Sequence, residues 1–179
     1  MTSKLTRILL GISLVATVAA CVVNLSFTYP KNGVMVQFTG TAVNKDIPID
    51  FSKQAEVEAH KANVQDISLD YLDATVSAVA ADNNVTVING QMKLRPDGGA
   101  ADGSQDVSVG TLTNVAVTVG TKLHLVGSPA LDALVLTTIK GSGKATAYIT
   151  GTATGPATGT TTGDFTLDLA LHLSMAYQP

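Results

Sequence analysis

An unbroken alternation of apolar and polar residues from Phe165 to Tyr177 constrains this chain more than any other feature. Apolar side chains occupy every second position of this stretch, namely Phe165, Leu167, Leu169, Leu171, Leu173, Met175 and Tyr177. Successive side chains of a β-strand point to opposite faces, so the pattern predicts a half-buried strand about 43 Å long. One face of such a strand needs a large apolar partner surface, and the rest of the chain has to supply it.

The composition supports a β-rich domain. Charged residues make up 14% of the 179 residues, against about 25% in an average globular protein. Thr, Ala, Val and Gly take their place, and Thr suits the exposed face of a strand. The net charge is −3, and lysines and arginines form no cluster in the body of the chain. The sequence therefore predicts no nucleic-acid partner.

The first 21 residues have the pattern of an export signal. Lys4 and Arg7 precede an apolar run of 13 residues, 8–20. That run is shorter than the roughly 20 apolar residues of a membrane span, and its length is typical of the apolar region of a signal peptide. It ends in Val-Ala-Ala-Cys at residues 18–21, which resembles the lipobox of bacterial lipoproteins.

This resemblance implies processing, lipidation and location. In that family the cysteine thiol receives a diacylglycerol, the preceding bond is cut and the new amine is acylated. A signal peptide over 1–20 and a single lipidated domain over 21–179 are thus expected, with Cys21 as the lipidation site. Cys21 is also the sole cysteine, so the chain has no internal disulfide. The resemblance places the protein in the cell envelope, and Val22 after the cysteine implies the outer membrane where the host has two membranes.

Strand and turn signals follow directly after Cys21. The segment 23–43 predicts a β-hairpin, because Pro30-Lys-Asn-Gly33 has the composition of a turn. Pro48 assigns the extended stretch around it to a sheet edge or a loop. A change of alternation phase at Tyr71-Leu72 predicts a β-bulge.

Two segments have helical character. Residues 52–63 fit either a short helix or a strand, and the abundance of helix formers favours the helix. Ser128-Pro129 is a helix start that predicts a helix near 129–138. Glycines recur every fourth residue from Gly151 to Gly163, and this stretch is interpreted as a long flexible loop.

Seven or eight strands with one or two short helices predict an all-β fold, an antiparallel β-sandwich. The strand rhythm resembles the immunoglobulin-like sandwiches of late-embryogenesis-abundant type-2 domains and of many uncharacterised bacterial lipoproteins. No motif accompanies this resemblance, so it assigns a role to no residue.

Catalytic and metal-binding patterns are sparse. No Gly-x-Ser-x-Gly motif is present, and His60, His124 and His172 are interpreted as surface or half-buried residues. His172 shares a strand face with Asp168, but four residues of strand separate them by about 13 Å. No catalytic residue, zinc cluster or cofactor is predicted.

An acidic loop is the candidate for calcium. It contains three aspartates, Asp97, Asp102 and Asp106, and calcium prefers six to eight oxygen ligands. Their spacing does not match an EF-hand loop, and the alternative is a plain hairpin loop.

The sequence as a whole predicts a non-enzymatic envelope lipoprotein that acts as a structural or protein-binding module. Its expected partners are the membrane, through the lipid anchor, and an envelope protein. The alternative is a carrier of lipid or another apolar ligand. A carrier requires an internal cavity of about 300–1,000 Å³.

Overall fold

The computed structural model describes residues 21–179, so the predicted signal peptide over 1–20 lies outside the described residues. Eight strands and two α-helices make up the fold of these described residues. In chain order they are β1 Val23–Thr39, β2 Ala42–Asp50, α1 Ala55–His60, β3 Val64–Val79, β4 Val87–Pro96, β5 Val107–Ala116, β6 Lys122–Val126, α2 Pro129–Lys140, β7 Lys144–Thr154 and β8 Thr162–Tyr177. One-turn 3-10 helices at Phe51–Lys53 and Lys61–Asn63 flank α1.

The strands form two four-stranded antiparallel sheets. The order in the first sheet is β1-β8-β3-β6, and in the second it is β2-β7-β4-β5. The predicted all-β antiparallel sandwich is therefore confirmed, with eight strands where the sequence predicts seven or eight and two short helices where it predicts one or two. The strand order is that of a jelly roll and differs from the four-plus-three arrangement of an immunoglobulin constant-type domain. Strand rhythm reports how many strands exist but not which of them pair.

The alternating stretch at Phe165–Tyr177 lies in β8, which pairs with β1 on one side and β3 on the other. Burial alternates along β8 as the sequence predicts. Its inner face is buried against the second sheet and consists of Phe165, Leu167, Leu169, Leu171, Leu173 and Met175. The second sheet supplies the apolar partner surface with Val43, Ile47, Ile49, Ile88, Met92, Leu94, Val109, Leu112, Ala145, Ala147 and Ile149.

The predicted N-terminal hairpin is wrong. Residues Val23–Thr39 form one strand that pairs along its whole length with β8. Asn32 and Gly33 together face the single residue Asp168, which makes a β-bulge rather than a chain reversal. Gly33 has φ +71°, and its N–H donates to Asp168 Oδ1 at 2.8 Å. The Pro-Lys-Asn-Gly sequence thus absorbs one extra residue within a continuous ladder.

Two other strand predictions are confirmed. Pro48 lies in β2, an edge strand of the second sheet, where proline is tolerated. The register of β3 against β8 shifts between Leu69 and Tyr71, next to the predicted bulge at Tyr71-Leu72. This shift moves the apolar positions of β3 from one phase of the alternation to the other.

Both predicted helices are present. The segment 52–63 is helical at Ala55–His60, with 3-10 turns on either side. Helix α2 begins after Ser128, whose Oγ accepts from Leu131 N–H at 3.3 Å. Asp132 of α2 accepts from the Leu69 N–H of β3 at 2.9 Å. This bond joins the helix to the first sheet at the bulge of β3.

The glycine-spaced stretch is only partly a loop. Strand β7 extends to Thr154 and β8 starts at Thr162, so the loop covers 155–161. Gly151 pairs with Gly90 of β4, and a Cβ on either glycine would collide with the other strand's backbone. Gly163 pairs with Phe38 of β1, whose ring occupies the space of a Cβ. Gly151 therefore allows close approach of β7 to β4, and Gly163 leaves room for the Phe38 ring of β1.

Candidate functional site

Cys21 is exposed and lies two residues before β1. The ladder of β1 starts at once, because Val23 pairs with Tyr177 of the central strand β8. Two residues span at most about 7 Å. A lipid on Cys21 would therefore hold the first sheet within a short distance of the bilayer.

One end of the sandwich surrounds this position. Val64 at the start of β3 pairs with the same Tyr177 that pairs with Val23. The His60 imidazole stacks on the Tyr177 ring, with 3.7 Å between ring centroids and 22° between planes. Lys61 Nζ donates to the Gly141 carbonyl oxygen at 2.7 Å. The end of α1, the end of α2 and the first residues of β1 and β3 thus meet at this end, here called the anchor end.

The outer face of the first sheet carries a polar cluster that the sequence did not predict. His124 Nδ1 lies 2.6 Å from Asp73 Oδ1, and His172 Nε2 lies 3.8 Å from Asp73 Oδ2. The Tyr71 ring stacks on His172, with centroids 4.1 Å apart, and lies 4.8 Å from the His124 ring. His172 Nδ1 is also 3.1 Å from Thr28 Oγ1.

This cluster lacks the geometry of a hydrolase triad. A nucleophilic hydroxyl requires a base that is itself hydrogen-bonded to an orienting carboxylate. The separation of 3.8 Å between His172 and Asp73 exceeds hydrogen-bonding reach. Asp168 Oδ1 accepts from the Gly33 N–H, and four residues of strand, about 13 Å, separate Asp168 from His172. The cluster binds β6 to β3 through the His124–Asp73 contact.

His60 and the acidic residue one turn before it do not pair. Glu56 instead accepts from the Gln54 side-chain amide at 2.7 Å, while His60 stacks on Tyr177. The three histidines lie in different elements: His60 ends α1, His124 is in the edge strand β6 and His172 is in the central strand β8.

Two of the three aspartates of the calcium candidate have separate side-chain partners, and Asp97 contributes its backbone N–H to the Lys144 carbonyl oxygen. Asp106 binds Arg95 through two contacts of 2.6 and 3.1 Å, and this hydrogen bonding raises the pKa of Arg95. Asp102 accepts from the Ser104 backbone N–H at 2.9 Å, which is the main cause of its lowered pKa. Within residues 21–179, no group of three or more His, Cys, Asp or Glu side chains is placed to hold a metal ion.

Arg95 holds this loop through a salt bridge that the sequence did not predict. The guanidinium also donates to the Tyr148 hydroxyl at 3.1 Å and lies 4.8 Å from the centre of that ring. Arg95 is in β4 and Asp106 is next to β5. The bidentate pair therefore closes the hairpin loop between these strands.

The space between the sheets is almost filled. An apolar cavity of about 40 Å³ lies toward the end of the sandwich opposite Cys21, between residues of both sheets such as Val36, Met92 and Leu167. A ligand pocket usually has about 300–1,000 Å³. The interior described here is a packed core.

No helix in residues 21–179 is long and apolar enough to cross a membrane.

Comparison with known proteins identifies no family. No family model matches the chain, and no curated protein matches it. The BFDV capsid protein matches with a TM-score of 0.43 and 10% identity, over 87% of this chain and 99% of that one. A Desmodium yellow mottle tymovirus chain matches with a TM-score of 0.37 and 13% identity, over 87% and 83%. A turnip yellow mosaic virus chain has a TM-score of 0.39 and 11% identity, over 88% and 82%. Likenesses of this size carry no argument about function.

Proposed function

We propose that this protein is a lipid-anchored envelope lipoprotein whose folded part is a non-enzymatic β-sandwich module. The observation that carries the proposal is the position of Cys21. It is the sole cysteine of the chain, it ends a lipobox-like sequence, and it is exposed two residues before the first strand. Lipid attachment there would leave every strand and the whole core in place.

The interior supports a module over a carrier. The cavity of about 40 Å³ holds no acyl chain or other apolar ligand of ordinary size. Small side chains such as Ala74, Ala145 and Ala147 are buried where the two sheets approach each other. The carrier alternative would require the sheets to separate, at the cost of the apolar contacts that stabilise them.

The outer-face cluster supports a non-enzymatic role. The contacts of Asp73, His124 and His172 join three strands, and the carboxylate is not hydrogen-bonded to the imidazole that contacts Thr28. An arrangement of this kind stabilises a sheet edge. It does not activate the Thr28 hydroxyl.

Lipidation is tested by labelling with radioactive palmitate in a bacterial host. The full chain should incorporate label and remain with membranes after a high-salt wash, because two or three acyl chains bind strongly. The Cys21→Ser chain should incorporate none and keep residues 1–20. Ser26→Ala, close to the same site in β1, is the matched control and should label like the unaltered chain. Equal labelling of the full chain and Cys21→Ser would overturn the proposal.

Sorting is tested by fractionating the membranes of a two-membrane host. Val22 follows the lipidated cysteine, and this residue is expected to send the protein to the outer membrane. Val22→Asp should retain it in the inner membrane. An unaltered chain found in the inner-membrane fraction would contradict this part of the proposal.

A further inference from the structure

We infer that the anchor end is a docking surface for the bilayer, so that the sandwich stands on lipid headgroups instead of lying on one of its sheet faces. The inference rests on the proposed lipidation of Cys21 and adds which surface meets the membrane. The partner is the headgroup layer of the membrane that holds the anchor, and its chemistry is that of an anionic phospholipid surface.

The lipid anchor would be attached almost directly to the first sheet. Cys21 is separated from β1 by Val22 alone, and β1 is paired from Val23 onward. The anchor therefore acts on the end of a rigid sheet and not on a flexible tether. Strand β8 has 16 residues, so the opposite end of the sandwich lies about 50 Å away.

The anchor end carries exposed apolar side chains. Val22 and Val23 are 52% and 37% exposed and belong to a set of only five exposed large hydrophobic residues in the described chain. Tyr177 lies in register with Val23, and a tyrosine suits the boundary between apolar and aqueous layers. Apolar side chains next to the acyl chains can enter the headgroup layer with them.

The anchor end also contains an open groove. It is formed by α1, α2 and the start of β3, and it is lined by Glu58, Lys61, Ala62, Val64, Gln65 and Lys140. Two of these residues are lysines and one is acidic. A lysine near an anionic lipid surface contributes about 1 kcal/mol, a factor of about five in binding.

The outer face of the first sheet is acidic. Away from the anchor end it carries Asp70, Asp73, Asp164 and Asp168, and Lys122 is the lysine on the same face. An anionic bilayer would repel this face. Charge therefore favours the end-on orientation over one in which this face lies flat on the membrane.

The test uses the lipidated full chain in vesicles, with one cysteine introduced at a time as the attachment site for a fluorophore. Because lipidation consumes the thiol of Cys21, an introduced cysteine is the sole reactive thiol of the mature protein. Gln65→Cys reports on the anchor end, Asp82→Cys on the opposite end, Met35→Cys on the outer face of the first sheet and Thr111→Cys on that of the second. Each carries a fluorophore, and a nitroxide on the lipid headgroups quenches whichever fluorophore lies close.

We expect strong quenching at Gln65→Cys and almost none at Asp82→Cys in vesicles that contain phosphatidylglycerol. Lys140→Gln should lower the ratio of docked to undocked domain about fivefold, and vesicles of phosphatidylcholine alone should lower it as well. Lys61→Gln should act similarly, but it also removes the bond to Gly141, so Lys140→Gln is the decisive variant. Lys122→Gln is the matched control and should change nothing.

Strongest quenching at Met35→Cys or Thr111→Cys would overturn the inference, because the sandwich would then lie on a sheet face. Equal quenching at all four positions, or quenching that does not change with Lys140→Gln, would overturn it too.

The mass of the chain is measured first. A chain without acyl groups refutes the proposed lipidation, whereas an acylated chain with the wrong quenching pattern refutes only the docking surface.

Discussion

Strands β8 and β1 are hydrogen-bonded neighbours, yet the sequence patterns that predict the two strands differ greatly in clarity. The alternation in β8 runs without interruption, and its inner face is buried from Phe165 to Met175. The alternation in β1 is interrupted at Pro30–Gly33, and the local residues predict a hairpin that the structure does not contain. The partner of β1 is not its own second half but a strand more than 120 residues later.

The difference shows which signals are decisive. A continuous apolar face of six buried side chains requires a strand whatever its neighbours are. A turn signal of four residues states only that the chain tolerates an irregularity there. The long pairing with β8 decides how that irregularity is used, and in β1 it becomes a bulge that Asp168 stabilises.

The largest expected effect is at the centre of β8. Leu171 is 1% exposed, so Leu171→Ala should lower the free energy of unfolding by about 2–5 kcal/mol through lost burial and a residual cavity. Thr166→Ala on the outer face of the same strand is the control and should cost no more than about 0.5 kcal/mol. Urea denaturation of a Cys21→Ser chain that lacks residues 1–20 measures both. Equal costs would mean that β8 is buried on both faces.

An intermediate effect is expected where the two strands meet at Gly163 and Phe38. The Phe38 ring occupies the space that a Cβ on Gly163 would need. Gly163→Ala should therefore cost about 1–3 kcal/mol through overpacking. Phe38→Leu removes the far end of the ring, so adding Gly163→Ala to it should cost clearly less than Gly163→Ala alone. Additive costs in this double-mutant cycle would show that the ring and the glycine do not interact.

Sequence reasoning found the elements whose signals are local. Neighbouring residues are enough to predict three features: the strand at Phe165–Tyr177, the edge position of Pro48 and the helix that Ser128 caps. It could not find which strands pair, because pairing depends on residues far apart in the chain. The same limit explains the hairpin error, since no residue near Pro30 indicates that β8 is the partner.

The candidate sites divide in the same way. Cys21 could be singled out because its signal is contained in the residues before it. The cluster on the outer face could not, because Asp73 and His124 belong to strands joined only by sheet pairing. Asp106 was considered as a calcium ligand because it shares a loop with Asp97 and Asp102, and nothing in the sequence reveals its salt bridge to Arg95, eleven residues earlier.

The smallest expected effect is the sharpest test of the comparison between β1 and β8. Asn32 and Gly33 face Asp168 as two residues against one, so deletion of Asn32 should leave a regular ladder with all inner residues still inside. The cost should be about 1 kcal/mol, because the hydrogen bond to Asp168 is disturbed. Deletion of Thr28 is the matched control. It also removes one residue of β1, but from a regular part of the ladder, so it turns the buried Phe27 outward. That deletion should cost more, since burial of a phenylalanine contributes about 1.5–3 kcal/mol. If the segment were a hairpin turn after all, the loss of Asn32 would be the more damaging of the two deletions.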